Sequence, residues 1–516
     1  MTRTKIHRIL YLGSLLIIAI SLPLSMFMMT VGIMVMLGNM ILEWNWAQKW
    51  ERIKQNRLTL FLISFPLLFW IGFINTDLWS QAVNSYLMKL PMLIIPLGIA
   101  TEAPLKRSEI KAIFYVYLGS VLFTTLYSIY FMFTHPIQDI REISVFISHI
   151  RFSLNIVLGI VIITFLIWNK EWRDRKLTPV LIATGVWFFL YLFISQTLTG
   201  IIILFILIFF LMFYMFLFFK KRVEYKIISI LFFVLLVGLI SYVSIITIDY
   251  FHTDEKEIPI QRNTKAGNPY WHNPDTWVEN GHMIEYYLCL DELKQEWPKR
   301  SKVPIEEVQH GLIRYLNSKG LHKDAEGIQQ LTDEDIKNVE NGYANVDYTH
   351  GIGLKRSLYP TYFSISLYQK FGKIHQSSLL ERIELWKTTI TILKHDWLFG
   401  VGVGDHKMEL DKQLKLQNSE ITKKEKGCHN QYLTIWLSGG IFLLFLFLIM
   451  MLAPLFFKIE YRLLYLLFFI LISVSMLTED TINTHAGVTF FSFFNALILL
   501  GVGRLTKEKE TEKQNN

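Results

Sequence analysis

Long apolar runs separated by short polar turns dominate the chain. The first runs from Ile9 to Leu42, too long for one membrane crossing, and it turns near Pro23, so it counts as two. Further runs lie near 58–74, 84–100, 110–133, 146–168, 178–195, 198–219 and 226–248, and three more at 431–457, 461–478 and 486–503. A helix rising about 1.5 Å per residue needs about 20 mostly apolar residues to cross the hydrocarbon layer. The pattern therefore predicts an all-α polytopic membrane protein with about 12 transmembrane helices.

Polar residues give the runs sides. Lys49, Arg52, Lys54 and Arg57 follow helix 2; Lys106, Arg107 and Lys111 follow helix 4; Lys170, Arg173, Arg175 and Lys176 follow helix 6. Lys220, Lys221, Arg222 and Lys226 follow helix 8, Lys458 and Arg462 follow helix 10, and the tail carries Arg504, Lys507, Lys509 and Lys513. In the alternate short loops, 75–83, 134–147, 195–197 and 479–485, Arg141 is the one basic residue. Such alternation follows the positive-inside rule and puts both termini in the cytoplasm. The basic N-terminal segment runs into the first apolar stretch without a small-residue cleavage site, so that stretch is read as a retained span. One connection breaks the rhythm, and by the alternation it lies outside. The expected organisation is helices 1–9 in residues 1–248, a large, mostly helical extracytoplasmic domain at 249–430, helices 10–12 at 431–503 and a cytoplasmic tail at 504–516.

Within the outer domain, DEKEIPIQRNTKAGNPYWHNPDTW reads as loop. Met283, Tyr286, Leu290, Leu293 and Trp297 recur at helical spacing, and Val308, Leu312, Tyr315 and Leu316 mark a second helix ending near Gly320. Thr332 with Asp335 forms a capping box for a third helix, stopped by Asn341-Gly342. Ser378 with Glu381 caps a fourth, running to about His395. The first three carry no evident chemistry and read as a helical cap over the membrane mouth.

Composition agrees with the pattern: of 516 residues, 52% are hydrophobic and 39 are Phe. The net charge of +8 is accounted for by membrane orientation, so no nucleic-acid partner is implied. Two cysteines, Cys289 and Cys428, make no disulfide framework; both lie outside, where a disulfide between them is open and two free thiols are the expected state.

Candidate chemistry gathers where helices meet the outer surface. Arg151 sits inside the outer end of helix 6 on a stripe with Ser148, Asn155 and Gly159, where facing the bundle interior or a water-filled cavity competes with snorkelling to the interface. Lys89 lies similarly near the end of helix 4, where snorkelling to the interface competes with a role in binding. Arg382 falls within the apolar stripe of the fourth outer helix, beside Trp386. Its stem either packs while its head reaches water, or the guanidinium points at an anionic ligand. Glu479 and Asp480 begin the last outer turn. His429 precedes helix 10; it is either a structural or exposed histidine or, since imidazole as a residue type accepts a proton near neutral pH, a general base for a hydroxyl. Two arginines, a lysine, a histidine and two acids fit a pyrophosphate leaving group and an alcohol nucleophile. No His, Cys or Asp spacing makes a metal site, and charge stabilisation is expected from Arg and Lys. The glycine loop FGVGVGD, with Gly400, Gly402, Gly404 and Asp405, looks like a dinucleotide loop. It lies outside and follows a helix, not a strand, which removes that reading. Gly400 is expected to stop the Arg382 helix once Trp397 and Phe399 pack down, and the loop to lie near the site, its glycines allowing close backbone approach to a diphosphate.

The stretches ERIELWKTTITILKHDWLFGVGVGDHKMEL, CHNQYLTIWLSGG and LTEDTINTHAG resemble the O-antigen ligase/O-antigen polymerase family. ENGHMIEYYLCLDEL and IRYLNSKGLHKD resemble the enlarged outer loop of its Bacteroidetes members. The resemblance implies a GT-C-like membrane glycosyltransferase of the bacterial inner membrane, acting in lipopolysaccharide or surface polysaccharide biosynthesis. It would transfer a glycan from undecaprenyl diphosphate to an acceptor hydroxyl at the periplasmic face, inverting, with neither metal nor cofactor. By the same resemblance His429 activates the acceptor, Arg151 and Arg382 hold the diphosphate, and Glu479 or Asp480 is the supporting acid. Lys89 joins the diphosphate set by position and chemistry. Where many relatives carry an arginine after helix 7, this chain has Gln196. The acceptor is left open between lipid A core, another glycan (a polymerase) and a protein hydroxyl. A lipid-linked saccharide flippase is the rival from another class, and a glycan-binding structural membrane protein the third reading.

Overall fold

The computed structural model describes residues 2–501, apart from 138, 219–222, 254, 256–260, 349–353, 373, 375, 376 and 422–426. Lys220, Lys221, Arg222 and the basic tail therefore lie outside the described residues.

Every apolar run is helical. Seven helices are long and apolar enough to cross a membrane: Arg3–Ser21, Trp79–Thr101, Arg107–Thr134, His149–Trp168, Leu198–Phe218, Val223–Phe251 and Gln431–Phe456. Met26–Leu42 joins Trp46–Gln55 across a bend of 114°, which brings the number to as many as eight. Leu58–Phe73, Thr178–Ile194, Arg462–Thr478 and His485–Gly501 are apolar but shorter. The chain is thus a mostly helical, multi-pass membrane protein.

The chain divides into two compact units, Met1–Leu211 with Arg382–Asn516, and Met212–Glu381. These bounds differ from the segments read in the sequence. The Val223–Phe251 helix clusters with the second unit because Tyr250 packs its ring against Tyr359 and Tyr362, and Thr247 hydrogen-bonds the Tyr362 hydroxyl at 2.6 Å. The described residues of 382–430, by contrast, belong to the first unit.

In the first unit the polar stripe on His149–Trp168 faces inward. Asn155 is buried, donates to the Arg151 carbonyl at 2.9 Å and accepts from the Tyr117 hydroxyl at 3.1 Å. A Cβ on Gly159 would stand 2.8 Å from the Phe188 ring, so the glycine permits that helix to approach its neighbour closely. Basic residues of the turns predicted to be cytoplasmic find partners: Arg8 pairs with Glu109, Lys49 with Glu43 at 2.9 Å, and Arg107 with Glu171 at 2.5 Å.

The second unit corrects one predicted helix. Met283 and Tyr286 precede the helix, which begins only at Leu290. Val278–Glu279 and His282–Met283 instead form a two-stranded hairpin around Asn280-Gly281, both with positive φ (56° and 78°). Asn-Gly is the favoured pair for such a turn, since its φ values match the twist of the strands. The helices Ile305–Ser318 and Asp333–Glu340 form as expected, and Thr332 and Asp335 make the reciprocal capping box. Trp297, Leu312, Tyr315, Leu316 and Ile328 lie in the buried core of this unit. A helix at Leu354–Phe371, interrupted in its sequence by Pro360, is additional to the expected set. The helix Ser378–Asp396 starts at the residue expected to cap it, one position early: Ser377, not Ser378, accepts from the Leu380 amide.

Candidate active site

Four distant parts of the first unit converge on the turn after Arg462–Thr478. Glu479 is its centre. Its carboxylate takes Arg382 Nη2 on one oxygen at 2.7 Å and Arg151 Nη1 on the other at 3.4 Å, and His429 Nδ1 stands 3.7 Å from that second oxygen. The side chains of Glu479 and Arg151 are 8% and 10% exposed, Arg382 is 20% exposed and His429 37%. The acid is therefore the floor of the group and the imidazole its most open member. Burial pushes the Glu479 carboxyl up, but His429, Arg151 and Arg382 outweigh it and hold the group down at about 2. Glu479 is an anion at neutral pH shared between two guanidinium groups, so one positive charge is left over.

Asp480 does different work. Its carboxylate accepts the His429 backbone N–H at 3.1 Å and the Thr434 hydroxyl at 2.6 Å, and its carbonyl accepts Arg151 Nη2 at 3.2 Å. Burial raises its carboxyl above the usual range, against the hydrogen bonds that favour the ion. His429 has φ +50°, a left-handed conformation uncommon outside glycine. Asp480 holds that conformation by its grip on the amide. A Cβ at Gly427 would meet Asp480 Oδ2 at 2.4 Å, so a side chain there would press on the carboxylate that holds the His429 amide. Immediately after His429, Asn430 caps the Gln431–Leu452 helix by accepting from the Tyr432 and Leu433 amides, each at 3.1 Å.

Lys89 reaches the same turn and is buried there. It donates to the Ile482 carbonyl at 2.8 Å and to Asn483 Oδ1 at 2.7 Å, while Gln431 Oε1 accepts the Ile482 amide at 2.8 Å. In this arrangement the lysine braces the acid turn. The guanidinium of Arg382 retains a polar group to offer: its Nε is buried and has no partner among the described residues. A buried donor left open costs free energy unless a ligand or solvent satisfies it.

The glycine loop packs against the backbone of this unit. The Ser378–Asp396 helix ends at Asp396, and Gly400, with φ +69°, donates to the Asp396 carbonyl at 2.9 Å as a left-handed stop. Trp397 and Phe399 do not pack down; they are 51% and 55% exposed. The glycines approach protein backbone: a Cβ on Gly400 would lie 2.4 Å from Leu437 O, on Gly402 2.6 Å from Asn75 O, and on Gly404 2.3 Å from Leu78 O. Asp405 accepts the Asp77 and Leu78 amides at 2.9 and 3.2 Å. The other side of this joint is a break in the Gln431–Leu452 helix at Gly439-Gly440, where Ile441 donates to the Trp397 carbonyl at 3.0 Å. The loop thus fastens the Arg382 helix to the His429 helix. Gln196 has φ +54° and sits in the turn before Leu198–Phe218.

Residues 322–448 match the family model described as O-antigen ligase. Over that stretch, about a quarter of the chain, the protein is similar to the O-antigen ligase family. The family expected from the motifs is borne out, and with it a ligase- or polymerase-type role in polysaccharide biosynthesis. The matched O-antigen ligase stretch includes Arg382, the glycine loop and His429; Lys89, Arg151, Glu479 and Asp480 lie outside it. No curated protein matches the chain. Sequence reasoning missed Thr434, Gln431 and Asn483 in the supporting shell. An Asn directly before an apolar run is a helix-start signal that points to Asn430, but nothing local marks the other three.

Both cysteines are free and buried. Cys428 Sγ accepts from the Thr389 hydroxyl at 3.2 Å, and burial pushes its thiol up to about 12.

Proposed function

We propose that the protein transfers a glycan from undecaprenyl diphosphate to an acceptor hydroxyl at the periplasmic face of the inner membrane. The observation that carries this reading is the meeting of Arg151, Arg382 and His429 on one buried carboxylate, Glu479. His429 turns Nδ1 toward Glu479, which leaves Nε2 for the acceptor. In the proposed step Nε2 takes the hydroxyl proton and the acceptor oxygen attacks the anomeric carbon. The bond from that carbon to the diphosphate oxygen breaks, and its electron pair leaves with the diphosphate. Attack opposite the leaving group inverts the configuration. Glu479 steadies the imidazolium formed, as a carboxylate does behind a histidine base. Arg382, through its open Nε, and Arg151 meet the charge growing on the leaving group, and guanidinium groups suit phosphate oxygens.

The acceptor class is lipid A core, a second glycan or a protein hydroxyl. Purified protein in liposomes, given a labelled polyprenyl-diphosphate glycan and each acceptor in turn, tests the reading. Label joined covalently to one acceptor is expected. Label that only changes leaflet identifies a flippase and contradicts it.

A further inference from the structure

The second unit contains a cavity of about 870 Å³ that the transfer chemistry does not use. Its volume falls in the range of small-molecule sites, roughly 300–1,000 Å³. One wall is built by a two-way backbone bridge, Trp271 N–H to Leu288 O at 2.7 Å and Leu288 N–H to Trp271 O at 3.2 Å. The bridge fixes the segment while leaving the Trp271 indole 63% exposed at the cavity. Trp277 supplies a second indole, seated 5.8 Å from the Phe371 ring and 6.5 Å from that of Phe363. Its Nε1–H is shielded from solvent and has no partner among the described residues, whereas a buried indole N–H usually finds one.

Polar groups line the same space: the carboxylates of Glu285 and Asp291, the Gln309 amide and the His310 ring. The one arginine in the wall is already neutralised. Arg314 makes two hydrogen bonds to buried Glu279, at 2.9 and 2.8 Å, and its face is covered by Phe363 at 3.3 Å. With that charge cancelled and two carboxylates present, the cavity does not suit an anion. Indole faces match the C–H faces of a pyranose, and carboxylate and amide oxygens accept its hydroxyls.

We infer that this cavity is a saccharide-binding subsite for a neutral or N-acetylated glycan unit, with Trp271 as its stacking platform and Glu285 and Asp291 as hydroxyl acceptors. The inference deepens the transfer reading by giving the second unit a grip on glycan, and it rests on that reading for the side of the membrane on which glycan is met.

The test uses the full-length His429→Ala protein in lipid nanodiscs, so that binding is measured without turnover. Neutral, N-acetylated and sulfated oligosaccharides are presented on an array, and hits are titrated. Binding is expected among the neutral and N-acetylated probes, weakened about tenfold or more by Trp271→Ala and reduced by Asp291→Asn. Both side chains are exposed, and an unchanged thermal midpoint checks that the variants fold. No binding in the neutral and N-acetylated set, preference for sulfated probes, or binding indifferent to Trp271→Ala overturns the inference. Transfer is assayed separately with His429 intact: its absence there counts against the enzyme reading alone, while loss of Trp271-dependent binding counts against the subsite alone.

Discussion

Glu479→Gln removes one negative charge and little volume from a site where two guanidinium groups converge. In the intact protein the carboxyl is held from an ordinary 4.5 down to about 2. At about 1.4 kcal/mol per tenfold change in proton affinity, that displacement corresponds to about 3 kcal/mol of stability at neutral pH. The side chain is 8% exposed, so solvent screening does not erase the effect. The sign follows from the lowered folded-state value. The contribution is complete above pH 4.5 and is lost as the pH falls toward 2. Thermal unfolding of the purified protein in detergent, followed between pH 7 and pH 3, reads it out. Wild type should hold its midpoint to about pH 5 and then drop. Glu479→Gln should start several degrees lower and show a much shallower acid limb, because Arg151 and Arg382 have lost their shared anion whatever the pH. A variant with the wild-type midpoint at pH 7 and the same acid limb would refute the claim that this carboxylate holds the site together.

Arg382→Lys keeps the charge but loses the planar fork and the open Nε; transfer at low donor concentration should fall about 10- to 100-fold, the worth of a charge-assisted hydrogen bond, and wild-type kcat/KM would contradict its role. Gly402→Ala places a Cβ 2.6 Å from Asn75 O at φ +101°, so the thermal midpoint should drop by the equivalent of about 1–3 kcal/mol; no drop would mean the joint is pliable. Native protein should resist maleimide at pH 7 and take up two equivalents after denaturation, since both thiols are buried and free; rapid native labelling at Cys428 would contradict its burial.

Periodicity made the helices legible because lipid leaves a backbone few alternatives: each of the twelve apolar runs is helical. Local chemistry also announced the Thr332 cap and the Gly400 stop. The same rule misled at Met283 and Tyr286, whose spacing imitates a helix while Asn280-Gly281 dictates a hairpin. There the turn pair, not the spacing, was the stronger signal. In the candidate site the residue types were visible but their geometry was not. Arg382 and Arg151 stand 97 and 328 residues from Glu479 in sequence, a distance over which no local pattern carries. Hence the centrality of Glu479, the bracing role of Lys89 and the hold of Asp480 on the His429 amide emerged only from the fold. The glycine loop shows the reverse. Its sequence suggested phosphate, and its glycines are required by Leu437, Asn75 and Leu78 backbone oxygens.

The central claim is that His429 takes the acceptor proton during glycan transfer. Its most direct test compares wild type and His429→Ala, each reconstituted with a polyprenyl-diphosphate glycan and acceptor, with the amount and anomeric configuration of the product measured. The account predicts an inverted linkage from wild type and none from a His429→Ala protein that still inserts and folds. An inverted product formed at the wild-type rate by His429→Ala would contradict it.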